Sequence, residues 1–326
     1  MVKKDKIFLI AAIAFFLSVN TSYAMSKKAL KHFNNGNKLF QIHDLEGAKS
    51  EYEKALKLAP NDAILYLKIA GILVEQEKWE EALQKYREAA ILTPKDAFIH
   101  ISIGNILQER NDYDGAYKAY IQALELSPEY KYTYLSIAGV ENLRNRPKEA
   151  IENYKKFLSY YPDHFDARKN LASTYLNLEI PEGAITEYEI LLKNNPQKFD
   201  DWANYGKAFV MAKNYPKAIA ILKTAKDKNP YNAMVRVNLA IAYTHEGEKL
   251  KAIDEYKAAI GLDPTLVNIK FNLANLLDEV GNKDEAIDLY LAYLREVPDN
   301  ADALYNLGLI YQEKGEINKA LNTLSR

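Results

Sequence analysis

The sequence predicts an all-α solenoid of antiparallel helix pairs, and two periodic features of the 326-residue chain carry this prediction. The first is that eight of the eleven prolines follow one another at intervals of 34 residues. They are Pro60, Pro94, Pro128, Pro162, Pro196, Pro230, Pro264 and Pro298. A fixed period in this range is typical of repeat proteins. A proline that closes each repeat stops its second helix, because proline lacks a backbone N–H and its ring clashes with the carbonyl four residues earlier.

The second feature is a pattern of small and large residues at fixed positions of the repeat. With each proline at position 32, position 20 is alanine in all nine repeats, position 8 is glycine or alanine, and position 24 is tyrosine or leucine. Small residues let the two helices of a repeat approach closely, and large residues fill the space between repeats. Gly247, Gly281 and Gly315 recur at position 15, where the first helix has to end, and are predicted to be turn residues.

The domain organisation follows from this alignment. Residues 25–28 form a short lead-in, and residues 29–326 form the repeat solenoid. The nine repeats are 29–62, 63–96, 97–130, 131–164, 165–198, 199–232, 233–266, 267–300 and the incomplete 301–326.

The pattern resembles the tetratricopeptide repeat (TPR), as in the sixth repeat, FDDWANYGKAFVMAKNYPKAIAILKTAKDKNPYN. The resemblance extends from Ala29 to Arg326 and implies a right-handed superhelical solenoid. It also implies a concave face lined by positions 2, 5, 6, 9, 12 and 13 of the first helices. Departures from the pattern are local, such as Asn35 and Glu141 at positions where the family usually has an apolar residue.

Residues 1–24 do not belong to the repeats. Three lysines precede an apolar run at residues 7–17, and the segment ends in Ser22-Tyr23-Ala24. This is the pattern of a secretory signal peptide, so we expect a protein exported to the periplasm or the exterior of a bacterial envelope. An uncleaved membrane anchor is the alternative, but this apolar run is shorter than the roughly 20 residues that a transmembrane helix needs. We therefore expect no stable membrane insertion after cleavage.

The composition excludes several kinds of chemistry. The chain contains no cysteine, so it has no disulfide, no thiolate metal site and no cysteine nucleophile. The histidines form no i, i+4 pair, and the sequence has no phosphate-binding glycine loop, no GxSxG motif and no HExxH motif. A net charge of −1 favours no nucleic-acid partner. The sequence predicts a protein that is not an enzyme, holds no cofactor or metal, and binds a protein or peptide.

One candidate site is a ladder of asparagines at position 6 of the last five repeats. Its members are Asn170, Asn204, Asn238, Asn272 and Asn306. An asparagine side chain offers both a donor and an acceptor, so it can pair with an extended peptide backbone. The ladder is similar to that in the repeats of the O-GlcNAc transferases, which implies peptide binding with little sequence preference. The alternative is that asparagine is simply common at this position in the family. We expect these side chains to lie on an open groove and to contribute little to folding stability.

A second candidate site is an apolar groove in the N-terminal repeats, formed by positions 2 and 5. Its members are Ile64, Phe98, Ile101, Tyr132 and Leu135. An exposed apolar stripe marks a contact surface. The alternative is that position 5 packs against the neighbouring first helix, so that only position 2 is exposed.

The leading functional hypothesis is an exported, non-catalytic scaffold that binds a peptide or protein partner in its concave groove. Two alternatives stay open. One is a solenoid component of an envelope exopolysaccharide or cell-wall assembly machine. The other is the substrate-binding part of a glycosyltransferase-like enzyme that lacks its catalytic domain. Self-association through the uncapped C-terminal end near Leu324 is also left open.

Overall fold

The computed structural model describes residues 25–194 and 199–325, and the predicted signal peptide at residues 1–24 lies outside these residues. The described part of the chain consists of 18 α-helices and contains no strand. The all-α prediction is confirmed. The chain divides into two compact units, which we call the N-terminal block, ending at Ala167, and the C-terminal block, beginning at Arg168.

The helices alternate between the first and the second helix of each repeat. The first helices are α1 (Lys27–Gln41), α3 (Ala63–Glu75), α5 (Ala97–Glu109), α7 (Tyr132–Leu143), α9 (Phe165–Asn177), α11 (Phe199–Met211), α13 (Ala233–His245), α15 (Val267–Glu279) and α17 (Ala301–Glu313). The second helices are α2 (Leu45–Leu58), α4 (Trp79–Leu92), α6 (Tyr113–Leu126), α8 (Pro147–Tyr160), α10 (Pro181–Asn194), α12 (Tyr215–Lys228), α14 (Lys249–Leu262), α16 (Lys283–Glu296) and α18 (Ile317–Leu324).

Local chemistry explains where these helices begin and end. The second helices of repeats 1 to 8 each end two residues before a periodic proline, as that residue requires. Several first helices begin at an acidic or amide cap. For example, the Asp62 carboxylate accepts a hydrogen bond from the backbone N–H of Ile64, and the Asn232 side chain accepts one from Val235. Such caps satisfy backbone donors that have no partner within the helix.

The turn between the two helices of a repeat requires a left-handed backbone conformation at position 15. Gly247, Gly281 and Gly315 adopt it with φ of 76°, 86° and 75°, which confirms their predicted role as turn residues. The other six repeats place a non-glycine residue there, such as Glu77 with φ of 57° and Lys213 with φ of 58°. This conformation costs a non-glycine residue about 1–2 kcal/mol. The packing of the helices on either side offsets that cost.

The core of each block is built from the periodic small and large residues. The alanines at position 20 are buried in every repeat, with exposed fractions of 0% from Ala48 to Ala286 and 4% at Ala320. Position 8 lies against position 24 of the same repeat, so that a Cβ added to Gly36 would meet the Tyr52 ring at 2.6 Å. None of the helices in the described residues is both long enough and apolar enough to cross a bilayer.

Candidate peptide-binding face

The surface of interest is formed by positions 2, 5, 6, 9, 12 and 13 of the first helices. At about 100° per residue these six positions fall within one sector of roughly 120° on the helix. We call this surface the first-helix face and describe it separately in the two blocks.

In the C-terminal block, the asparagine ladder lies on the first-helix face. Asn170 is exposed, and the other four asparagines are half-buried. These four side chains are therefore more buried than expected for side chains on an open groove. For Asn204, Asn272 and Asn306, a tyrosine side chain of the preceding repeat covers part of the amide.

Three of the ladder amides lie beside a buried tyrosine hydroxyl of the repeat before. Burial raises the pKa of Tyr256 to about 12, and hydrogen bonding to Thr244 and Asn272 opposes this increase. Burial likewise raises the pKa of Tyr290 to about 12, with Asn306 acting in the opposite direction. The third pair is Tyr188 with Asn204, where burial again raises the tyrosine pKa. These three asparagines thus join successive repeats, which is a structural role that the sequence did not predict.

The last of these contacts belongs to a short polar network. The Tyr290 hydroxyl donates a hydrogen bond to Oδ1 of Asn275, and Nδ2 of Asn306 donates one to the same oxygen at 3.1 Å. Asn275 occupies position 9 of its repeat and so lies on the same face of the helix. The amide of Asn306 is therefore already engaged within the protein.

Two ladder asparagines differ from the others. The side-chain amides of Asn170 and Asn238 have no hydrogen-bond partner among the residues that the structure describes. For Asn238 the reason is visible in the sequence, because position 24 of the preceding repeat is Leu222 rather than tyrosine. A leucine has no hydroxyl to engage the amide. The ladder is therefore divided into engaged and free members.

In the N-terminal block, the members of the apolar groove are half-buried except Tyr132, which is 50% exposed. Ile101 also packs against the core of this block, as expected if position 5 has a structural role. The Tyr132 ring lies 5.1 Å from that of Phe157 and 4.9 Å from that of Tyr161, measured between ring centroids. Phe157 is fully buried, so one side of Tyr132 is anchored while half of its surface stays available.

The structure adds three charged side chains to this face that sequence analysis missed. Lys68 stands at position 6 of repeat 2 and is only 8% exposed, and burial lowers its pKa to about 8. Glu75 and Glu109 stand at position 13 of repeats 2 and 3. The signal that could have identified the two glutamates is their identical position in successive repeats.

The described residues contain no group of three side chains suited to bind a metal ion. Asp201 is fully buried, and its nearest cation is Lys169, whose Nζ lies 3.4 Å from Oδ1. A single acid–lysine pair of this kind is common in helix packing. It does not define a catalytic arrangement, which would need a base, a nucleophile and a shared cleft.

Comparison with protein families identifies the repeat. A family model described as tetratricopeptide repeat matches residues 33–97, 143–198, 181–233, 206–266 and 271–325, and a second model with the same description matches residues 99–130. A comparison with curated protein sequences gives no match.

Solved structures with the same fold include several TPR proteins. The C-terminal part of a TPR repeat-containing protein from Cytophaga hutchinsonii is 16% identical, with a TM-score of 0.60 over 72% of this chain and 96% of its own. A tetratricopeptide repeat protein from Parabacteroides merdae is 17% identical, with a TM-score of 0.53 over 77% of this chain and 100% of its own. YrrB, described as a TPR protein with an unusual peptide-binding site, is 21% identical, with a TM-score of 0.52 over 56% of this chain and 95% of its own.

At these identities the similarity to solved structures concerns the fold alone. The family models cover most of the chain, and their matched ranges include most of the helices described above. TPR proteins generally serve as non-catalytic scaffolds that bind peptides or proteins. The chain belongs to the tetratricopeptide repeat family.

Proposed function

We propose that this chain is an exported, non-catalytic scaffold that binds an extended segment of a protein partner along its first-helix face. The free amide of Asn238 carries the proposal. It is half-buried on that face, has no hydrogen-bond partner in the described residues, and offers a donor and an acceptor to a peptide backbone. Asn170 offers the same groups at a more exposed position.

The free and engaged asparagines allow a matched test. The partner is first recovered from a bacterial envelope extract by affinity purification on the unmodified chain. Its affinity for each variant is then measured by titration calorimetry. We expect Asn170→Ala and Asn238→Ala together to weaken binding by about 1–3 kcal/mol, because each lost hydrogen bond contributes about 0.5–1.5 kcal/mol. Folding stability should change little, since neither amide has an internal partner.

Two further variants serve as controls. Asn272→Ala should lower the free energy of unfolding by about 1 kcal/mol, because it removes one of the two side chains that contact the Tyr256 hydroxyl. Leu222→Tyr should weaken binding without loss of stability, because the new hydroxyl would engage Asn238. The repeat has room for this ring, since Gly206 lies opposite Leu222 as Gly36 lies opposite Tyr52. Unchanged affinity in the ladder variants and in Phe98→Ser/Tyr132→Ser would exclude the first-helix face as the binding site.

The proposal that the protein is exported rests on the signal-peptide pattern of residues 1–24. We expect mass spectrometry of the native protein to show an N-terminus at Met25, because Ser22 and Ala24 provide the small residues that a signal peptidase requires. Recovery of the intact N-terminal segment in a membrane fraction would contradict export as a soluble protein. It would indicate an anchored protein instead.

A further inference from the structure

The first-helix face of repeats 2 to 4 has two opposite walls of different chemistry. Near the beginnings of α3, α5 and α7, positions 2 and 5 provide the apolar groove defined above. At the ends of α3 and α5, position 13 provides Glu75 and Glu109. Equivalent positions of these first helices line up from one repeat to the next. The apolar groove therefore lies on one side of the face and the two carboxylates lie on the other.

The two carboxylates differ from the other acidic side chains that join these repeats. Elsewhere in the N-terminal block, Glu80 pairs with Arg110 and Asp114 pairs with Arg144, each at 2.7 Å between carboxylate oxygen and guanidinium nitrogen. Within the described residues, neither Glu75 nor Glu109 forms an ion pair.

The surroundings of Glu75 are such that a nearby cation would stabilise its carboxylate. Its Oε2 atom is buried and has no hydrogen-bond partner in the described part of the chain. Burial raises the pKa of this carboxyl group, and His43 opposes the increase. A carboxylate with one oxygen buried and unpartnered is unfavourable, so a ligand cation beside the more accessible Oε1 would stabilise the charged group.

Between the two walls, position 9 leaves space in repeats 2 and 4. Gly71 and Gly139 occupy position 9 of repeats 2 and 4, and no atom lies within 4 Å of the place where a Cβ would project. Positions 5 and 13 are eight residues apart, about 12 Å at 1.5 Å per residue. This width matches the roughly 10–12 Å diameter of an α-helix with its side chains. Three first helices at a spacing of 8–10 Å extend over roughly 20 Å, or about 14 helical residues.

We propose that the first-helix face of repeats 2 to 4 binds an amphipathic helix that places apolar side chains in the apolar groove and lysine or arginine side chains beside Glu75 and Glu109. This inference rests on the proposed function and names the class of partner. Apolar contact on one wall and unpaired carboxylates on the other fit a basic amphipathic helix. A uniformly polar segment would leave the apolar groove without contact, and an acidic amphipathic helix would place like charges beside Glu75 and Glu109.

The test uses two fluorescent peptides and the full chain. The first is a model helix of about 14 residues with leucine on one face and lysine beside it, and the second has glutamate in place of every lysine. Fluorescence anisotropy gives the affinity of each. We expect the lysine peptide to bind more tightly. Glu75→Gln/Glu109→Gln should weaken its binding roughly five- to tenfold, since each of two partly exposed ion pairs makes a modest contribution.

The matched control is Glu125→Gln/Glu152→Gln, which neutralises two exposed carboxylates on the second helices α6 and α8. This control should leave the affinity of the lysine peptide unchanged. Equal affinity of the two peptides, or an equal effect of both glutamine pairs, would overturn the inference.

A third variant separates this inference from the proposed function. Phe98→Ser/Tyr132→Ser removes the apolar side chains, and thermal unfolding confirms that the variant is folded. If it weakens binding while Glu75→Gln/Glu109→Gln does not, the groove binds a partner but the basic chemistry is wrong. If neither variant weakens binding of the lysine peptide, the inference is wrong. If in addition the ladder variants bind the native partner normally, the proposed function fails as well.

Discussion

Position 6 of the repeat holds asparagine in six repeats, serine in two and lysine in one. In several repeats, a tyrosine hydroxyl of the preceding repeat determines what this side chain can do. Asn272 contacts the hydroxyl of Tyr256, and Ser102 contacts that of Tyr86. Asn238 follows Leu222 and keeps its amide free among the described residues. Lys68 is the only charged residue at position 6, and it places a cation in a buried site.

Lys68 gives a pH-dependent prediction. Burial lowers its pKa in the folded chain from 10.5 to about 8. Between these values the unfolded chain binds more protons than the folded chain, so stability should rise with pH. We expect the free energy of unfolding, measured in urea, to increase from about pH 7.5 to about pH 9.5 by more in the unmodified chain than in Lys68→Met. An equal pH dependence of the two proteins would contradict the lowered pKa.

At the scale of helices, charged side chains connect elements that are distant in sequence. Glu255 on α14 is 8% exposed and binds two cations. Lys226 on α12 donates to Oε1 at 2.6 Å, and Arg236 on α13 donates to Oε2 at 2.9 Å. One carboxylate therefore holds together three helices from two successive repeats. Exposed pairs such as Lys257 with Glu285 join repeats as well, but solvent screens them.

The difference between these two kinds of ion pair predicts different costs. Glu255→Gln should lower the free energy of unfolding by about 1.5–3 kcal/mol, because it removes charged hydrogen bonds from a buried position. Glu285→Gln should lower it by less than about 1 kcal/mol. Urea unfolding of both variants measures these values. Equal losses would show that burial does not determine the strength of these contacts.

For the molecule as a whole, the repeats within each block pack chiefly on their sequence neighbours. In the C-terminal block, α12 contacts α13 and α14 contacts α15, so the core continues from one repeat to the next. Stability in such an arrangement is approximately a sum of repeat terms and nearest-neighbour terms. A local defect should therefore have local consequences.

The buried alanine at position 20 provides the test. Ala252 is 0% exposed, and Ala252→Leu adds three heavy atoms where the helices of repeat 7 touch. We expect a loss of about 1–3 kcal/mol from overpacking. Hydrogen exchange should show lost protection mainly in repeats 6 to 8. A uniform loss in all repeats would instead indicate a single cooperative unit.

The fold of this chain could be predicted from its amino-acid sequence. The period of 34 residues, the prolines, the position-15 glycines and the position-20 alanines predicted the helix pairs, their ends and their core contacts. These features can be recognised in the sequence because they depend on residues within one repeat. Each of them also recurs up to nine times along the chain. The position of the asparagine ladder on one face of the first helices also follows from helical periodicity.

Which members of that face have groups free for a ligand is visible only in the packing of one repeat against the next. Tyr256 and Asn272 belong to different repeats, and so do Asp114 and Arg144. No local pattern shows that such residues meet, because the contact depends on how one repeat packs against the next. The same packing leaves Asn238, Glu75 and Glu109 without hydrogen-bond or ion-pair partners for their free groups in the described residues. The function that we propose for this surface depends on contacts between repeats, whereas the fold depends mainly on contacts within them.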